Sequence, residues 1–424
     1  MRILHVTQGY TPAIGGTELL IQRVSEELAQ RFGDQVAVFT TDCLSGEAFF
    51  SPRLPHIKTG WENIGGVRVR RFPVRRRVSQ ALRRPQALAY RLRLPFNERL
   101  RALAGGPIVP GLRQAIKAWP CDVVAASSFP LLHMFDALAG AHGAGRPCVL
   151  HGGLHPHDDW GFQRPTIYRA IAEADAYIAN TQFEADYVIG RGAPPGRVHA
   201  VGVGVDVESY EGVTSDEAKW RLGFDKRPLV GFVGQLAGHK GLDTLLRAMP
   251  RVWQAQPDVN LLIAGGRTLF TPEVERAMRG WSADFQRRSR LLVDFPAEKK
   301  PWLYGAIDLL AYPSGYESFG ISYVEAWAAG KPVIGTRSGA VPSVISEGVD
   351  GLLVDYQDDQ ALARAILDLV RCPERARNMG EAGRAKTLAR YTWRRVAQRF
   401  REIYTGVLEH GSISTLRPER QPAP

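Results

Sequence analysis

The sequence predicts an α/β protein built from two Rossmann-like domains facing across a cleft, and three observations carry that prediction. The chain has 424 residues with 45% hydrophobic content, too many for one ordinary core and suited to two. Short apolar runs alternate with segments of helical periodicity, the pattern of parallel strands with covering helices. After a Gly-rich turn at residues 201–206 the alternation starts again, which marks a second unit on the same scheme.

In the first unit, strands are expected at 2–7, 35–40, 67–72, 122–126, 147–151, 176–180 and 198–201. A helix is expected at 17–31, where Leu20, Val24 and Leu28 recur every four residues and Glu18 stands in the first turn, at the positive end of the helix dipole. In the second unit, strands are expected at 229–233, 259–264, 291–293, 307–311, 332–335 and 351–354. The polar stretch 208–216 separates an N-terminal domain over 1–207 from a C-terminal domain over 208–392. A helix at 393–410 sets Trp393, Val396, Phe400 and Tyr404 on one side, for packing on the second domain or back across the junction onto the first. Residues 411–424 have little to bury and are expected to be disordered.

Composition narrows the function classes. No run approaches 18 uninterrupted apolar residues and the chain opens directly into a strand, so the expected location is cytoplasmic. Cys43, Cys121, Cys148 and Cys372 are scattered without a C-x-x-C pair, which argues against a disulfide framework or a structural zinc site. The net charge of +11 is local. Between residues 67 and 117, thirteen arginines and one lysine face only Glu98, a segment charge of +13. Phe96, Leu100 and Leu103 fall at i, i+4, i+7 there with Arg99 and Arg101 on other faces. That pattern suits a basic amphipathic helix at an anionic membrane surface, hence a peripheral position on the inner face of the cell membrane. Nucleic acid is not an expected partner, because the arginines are not interleaved with stacking aromatics.

Chemistry concentrates between residues 312 and 330, where Glu317 and Glu325 stand eight positions apart around Ser318-Phe319-Gly320 as loop passes into helix. The first amides of a helix lack intrahelical partners and sit at its positive end, so Gly320, Ile321 and Ser322 would offer donors to a diphosphate. Glu325, one turn further in, could accept from the hydroxyls of a ribose, while Glu317 on the loop could meet a group beside the phosphate.

This arrangement resembles the E-x7-E element of retaining glycosyltransferases with the GT-B fold, the family 4 type. Gly15-Gly16-Thr17-Glu18, Gly234-Gln235-Leu236 with Lys240-Gly241, and Glu317-Ser318-Phe319-Gly320 with Glu325-Ala326 follow the family's order and spacing over most of the chain. The resemblance implies transfer of a sugar from a nucleotide-diphosphate sugar to a hydroxyl of a glycan or lipid-linked acceptor, as in cell-envelope polysaccharide or glycolipid synthesis, with no metal required. It implies catalytic roles for Glu317, His151 and Lys240. It implies donor contacts for Gly15, Gly16, Gln235, Lys240, Phe319, Gly320, Ile321, Ser322 and Glu325. Gln235 departs from the family's usual arginine, and Arg337 and His239 are the candidate substitute cations. Base recognition in the family falls after residues 291–293, where Asp294-Phe295-Pro296-Ala297 replaces a glycine-containing turn, and UDP is favoured over GDP.

Other classes fit less well. His151, His155, His157, Asp158 and Asp159 include metal-ligand types, but their loop contains Gly152, Gly153 and Pro156 and no helix to fix a geometry; it is expected to border the acceptor. A nicotinamide dehydrogenase would need G-x-G-x-x-G after a strand, and residues 202–207 lack the third glycine. A binding protein that kept the fold and lost catalysis is the remaining alternative, suggested by Gln235.

Overall fold

The computed structural model of the chain describes residues 1–13, 15–95 and 97–413. It holds two sheets. The first is assembled from β1 (Arg2–Val6), β2 (Gln35–Thr41), β3 (Gly60–Ile64), β4 (Val67–Phe72), β5 (Val123–Ser127), β6 (Cys148–His151), β7 (Ala176–Ala179) and β8 (Val198–Ala200). Its order is β3-β4-β2-β1-β5-β6-β7-β8. The second comprises β9 (Leu229–Val233), β10 (Asn260–Gly265), β11 (Ser289–Val293), β12 (Leu309–Ala311), β13 (Val333–Thr336) and β14 (Gly351–Val354), in the order β11-β10-β9-β12-β13-β14. Every pairing is parallel except β3 with β4.

Each predicted strand is present. β3 was not foreseen, because GWENI carries no apolar alternation and its residues are mostly exposed on a sheet edge. Its register is set instead by the turn Gly65-Gly66, both residues left-handed.

By contacts, one compact unit comprises residues 1–202 with the helix Trp393–Ile413, and the other residues 203–392. The C-terminal helix therefore packs within the first unit. Val396, Phe400 and Tyr404 are fully buried, Tyr404 Oη lies 3.0 Å from His5 Nε2, and Arg401 donates to Asp34 at 2.8 Å. This helix runs to Ile413, past the predicted end at 410, and residues 414–424 of the expected tail lie outside the described residues.

The arginine-rich segment forms the strand β4 and a pair of packed helices, Arg76–Arg91 and Asn97–Gly105. It differs from the predicted basic helix. Phe96 lies outside the described residues, and Arg101, expected on an exposed face, is only 5% exposed and donates to the carbonyls of Asp159 and Trp160. A guanidinium with five donors can satisfy two loop carbonyls at once, and that tertiary contact overrides the helical pattern. Arg71 and Arg76 are likewise engaged, with Glu62 and Asp42.

In open α/β sheets, ligands bind outside the carboxyl ends of the strands where the strand order reverses. In the second sheet that point lies between β9 and β12, and in the first between β1 and β5.

Candidate active site

The loops leaving β9 and β12 carry the predicted residues of the second unit, and they are stitched together. Gly315 N donates to His239 O at 2.9 Å, and Ser314 Oγ reaches the same carbonyl at 3.3 Å. Gly241 makes the approach possible. It adopts φ +74°, and a Cβ there would lie 1.9 Å from Pro313 O. The result brings two residues 77 positions apart into an ion pair: Lys240 Nζ lies 2.7 Å from Glu317 Oε1, with only 17% and 10% of the two side chains exposed. Lys240 stands in a 3-10 turn, Gly238–Lys240, just before the helix Leu242–Ala255.

Gly320 then starts the helix Ile321–Ala328. It adopts φ +92°, and a Cβ would meet the Tyr323 ring at 2.5 Å, so only glycine fits. No side chain caps this helix, and its first amides are left to solvent or a ligand. Ser322 Oγ donates to Val233 O at 2.9 Å and ties the helix to the end of β9. Phe319 is buried with its ring edge on Tyr391, which leaves its backbone as the part able to meet a ligand.

Glu325 is held from two sides. Lys300 Nζ lies 2.5 Å from Oε1 and Tyr304 Oη donates to Oε2 at 2.8 Å. Burial, with the charge of Glu325 adding, pushes the Tyr304 hydroxyl well above its ordinary pKa, so it remains a donor. Burial does the same to Tyr312, helped by Glu317. Spacing gave no signal for Lys300 or Tyr304, which come from the helix Lys300–Ala306, more than twenty residues before the acid.

The two candidate substitutes for the missing arginine are not free cations. Arg337 pairs with Glu347 at 3.0 Å, and His239 is kept below its ordinary pKa by burial and by Lys240. The Gln235 side chain is exposed and has no hydrogen-bond partner among the described residues. Asp294 takes φ +54°, so this turn keeps a left-handed residue without glycine, and its carboxylate accepts from Arg267 N at 2.8 Å.

The remaining candidates belong to the first unit. Gly15 and Gly16 open the helix Gly16–Gln30, and a Cβ on Gly15 would lie 2.1 Å from Glu18 Oε2, a carboxylate that also accepts from Gln8 at 2.7 Å. His151 ends β6 and is 4% exposed. Its Nε2 lies 3.0 Å from Asn180 Oδ1, its Nδ1 is buried without a protein partner, and Phe400 covers the ring at 5.6 Å. Burial lowers its pKa to about 4, so it is neutral. The loop after it is anchored by a residue that no motif or spacing marks. Glu184, fully buried, accepts from Gly153 N, Leu154 N, Asn180 N and Tyr177 Oη at 2.7–3.1 Å. Among the described residues no group of three His, Cys, Asp or Glu side chains could hold a metal, and Asp158 accepts from Gly161 N instead.

Comparison with known proteins follows the same division. Residues 214–386 match the family Glycosyl transferases group 1, and residues 15–204 match the Glycosyl transferase 4-like domain. A D-inositol 3-phosphate glycosyltransferase of Segniliparus rotundus is 34% identical over 255 residues, 59% of this chain and 56% of its own length. A GDP-mannose-dependent alpha-(1-6)-phosphatidylinositol monomannoside mannosyltransferase of Mycolicibacterium smegmatis is 29% identical over 290 residues, 65% of this chain and 74% of its own. The matches to inositol 3-phosphate glycosyltransferases thus span under two thirds of those relatives' length. In fold, Anabaena Alr3699/HepE in complex with UDP superposes with a TM-score of 0.71 at 21% identity, over 96% of this chain and 100% of that one.

Proposed function

Because the chain belongs to the GT-B glycosyltransferases of the family 4 type, we propose that it is a retaining enzyme moving a hexosyl group from a nucleotide-diphosphate sugar to a hydroxyl of a glycan or lipid-linked acceptor. The observation that carries this reading is the uncapped helix start at Gly320 beside the Lys240–Glu317 pair. The bond from the anomeric carbon to the diphosphate oxygen breaks while the acceptor oxygen bonds the same carbon on the same face. The acceptor proton passes to the departing diphosphate. Negative charge grows on that phosphate, and preorganised donors aimed at developing charge are where such sites gain most of their rate.

Each residue then has a task. Lys240 turns from Glu317 toward the diphosphate, and the amides of Gly320, Ile321 and Ser322 receive its oxygens. Glu317, released in part, orients the sugar. Glu325 accepts from the ribose hydroxyls with the lone pairs that Lys300 and Tyr304 leave open. Gln235 contributes a neutral hydrogen bond, Gly15 and Gly16 allow close backbone approach, and His151 acts through Nδ1, the one ring nitrogen still unpartnered. UDP is the favoured nucleotide. The names of the relatives favour a phosphorylated or lipid-linked polyol as acceptor.

The test is a thermal-shift screen of UDP, GDP and ADP sugars, since a ligand that binds only the folded state raises its melting point; at a hundred times Kd the gain is about 2.7 kcal/mol. A UDP-sugar should give the largest shift, and product analysis should show the anomeric configuration retained. An inverted product removes the mechanism. Exposed, uncharged Gln235 sustains a second reading, a binding protein with weak catalysis. Turnover abolished by Glu317→Ala would exclude it.

A further inference from the structure

We propose that the helical hairpin formed by Arg76–Arg91 and Asn97–Gly105 is a docking surface for an anionic phospholipid bilayer.

The first helix is packed with its polar stripe inward. Ser79, Gln86 and Ala89 are its buried residues, and Ser79 Oγ and Gln86 Nε2 find no protein partner. The apolar stripe faces water, with Val78 43% and Leu88 58% exposed. Burying unsatisfied polar groups while leaving leucine in solvent is unfavourable on both counts, and it is the combination that marks an interaction surface.

The turn that follows extends the stripe. Leu94 N donates to Ala89 O and Arg93 N to Tyr90 O, a helix-ending arrangement in which the left-handed position normally belongs to glycine. Here Arg93 occupies it with φ +52°. The apolar residue after such a turn ordinarily folds back onto the helix, yet Leu94 stays 45% exposed, and Leu92 just before the turn is 60% exposed. Six of the fourteen exposed large hydrophobics among the described residues fall between positions 78 and 103, so apolar exposure is concentrated here rather than scattered.

Charge selects the partner. Arg77, Arg84 and Arg91 recur at seven-residue spacing and run along the helix beside Val78, Leu88 and Leu92. Among the described residues none of these three arginines, nor Arg93 or Arg99, forms an ion pair, and the segment's lone acid, Glu98, accepts from Thr166 N. A bilayer surface offers what both stripes need at once: phosphates for the guanidiniums and, about 5–10 Å below, the acyl boundary for the leucines. Nucleic acid would leave the leucines in water, and a second copy would set arginine against arginine.

The experiment is flotation of the full-length protein with vesicles of phosphatidylcholine alone or mixed 3:1 with phosphatidylglycerol. Binding to the mixed vesicles should be about tenfold tighter or more and should weaken with salt. Leu88→Ser with Leu92→Ser should lose about tenfold or more in binding to the same vesicles while the melting temperature holds, since both side chains are already in solvent. Arg84→Gln with Arg91→Gln should weaken binding and flatten its salt dependence. The proposal fails if neither vesicle binds, if both bind equally, or if the leucine variant binds like the parent protein. It fails equally if the parent protein forms a dimer that the leucine substitutions dissolve.

Discussion

At the scale of single residues, the site depends on which charges are paired. Lys240 and Glu317 are mostly buried and hold each other at 2.7 Å. Removing one partner of such a pair strands the other, at a cost of about 3–5 kcal/mol. Lys240→Met is therefore expected to lower the melting temperature and, at saturating donor, to reduce kcat by about a hundredfold or more, the loss typical of removing one preorganised stabiliser. Lys240→Arg should restore most of the stability and part of the rate. A loss below about threefold in the methionine variant would sink the role given to this cation. Glu317, Glu325 and Lys240 were legible in the sequence because the motif fixes their spacing. Lys300, Tyr304 and Glu184 were not, because each reaches its partners through the fold and carries no local pattern.

At the scale of elements, the decisive features are two loops leaving adjacent strands and the glycine that lets them touch. Gly241 and Gly330 share nearly the same left-handed backbone, φ +74° and +71°, but differ in surroundings. A Cβ at Gly241 would strike Pro313 O at 1.9 Å, whereas at Gly330 nothing lies within 4 Å. Gly330→Ala should thus cost only the left-handed strain, about 1–2 kcal/mol. Gly241→Ala should cost more, by about 1–3 kcal/mol for the displaced loop, and should also weaken donor binding by moving Lys240. Denaturant unfolding with donor titration on both variants checks this; equal losses would mean that the two loops are not closely packed. The strands themselves were legible from apolar runs, since strands buried on both faces read as continuous hydrophobic segments. The exception, β3, is an exposed edge strand whose pairing is set by a turn, and there the burial that creates the pattern is absent.

At the scale of the whole molecule, the last helix closes the first unit over two buried histidines: Tyr404 meets His5 and Phe400 covers His151. Burial lowers His5 to about 3 and both His133 and His151 to about 4. In the unfolded chain these rings titrate near 6.5, so below that pH the unfolded state binds protons that the folded state refuses, and stability falls until the folded values are reached. Asp136, raised to about 6 by burial, opposes this over part of the window, as do Glu184, raised by burial, and His142, raised by its hydrogen bond to Asp175; His199 and His239, both lowered by burial, act with the three buried rings and tip the balance toward loss. The melting temperature should therefore drop between pH 6.5 and pH 4, and His133→Asn should reduce the drop; a rise on acidification would contradict the neutral assignment.

The sequence by itself determined the two-unit α/β plan, the positions of every strand but β3 and the paired acids, because periodicity and motif spacing are properties of neighbouring residues. Only the tertiary structure decided that the C-terminal helix belongs to the first unit, that Arg101 turns inward, and that Lys300 and Tyr304 hold Glu325. Those outcomes depend on which donors and acceptors meet across long stretches of chain, and a buried group takes whatever partner the packing brings within reach.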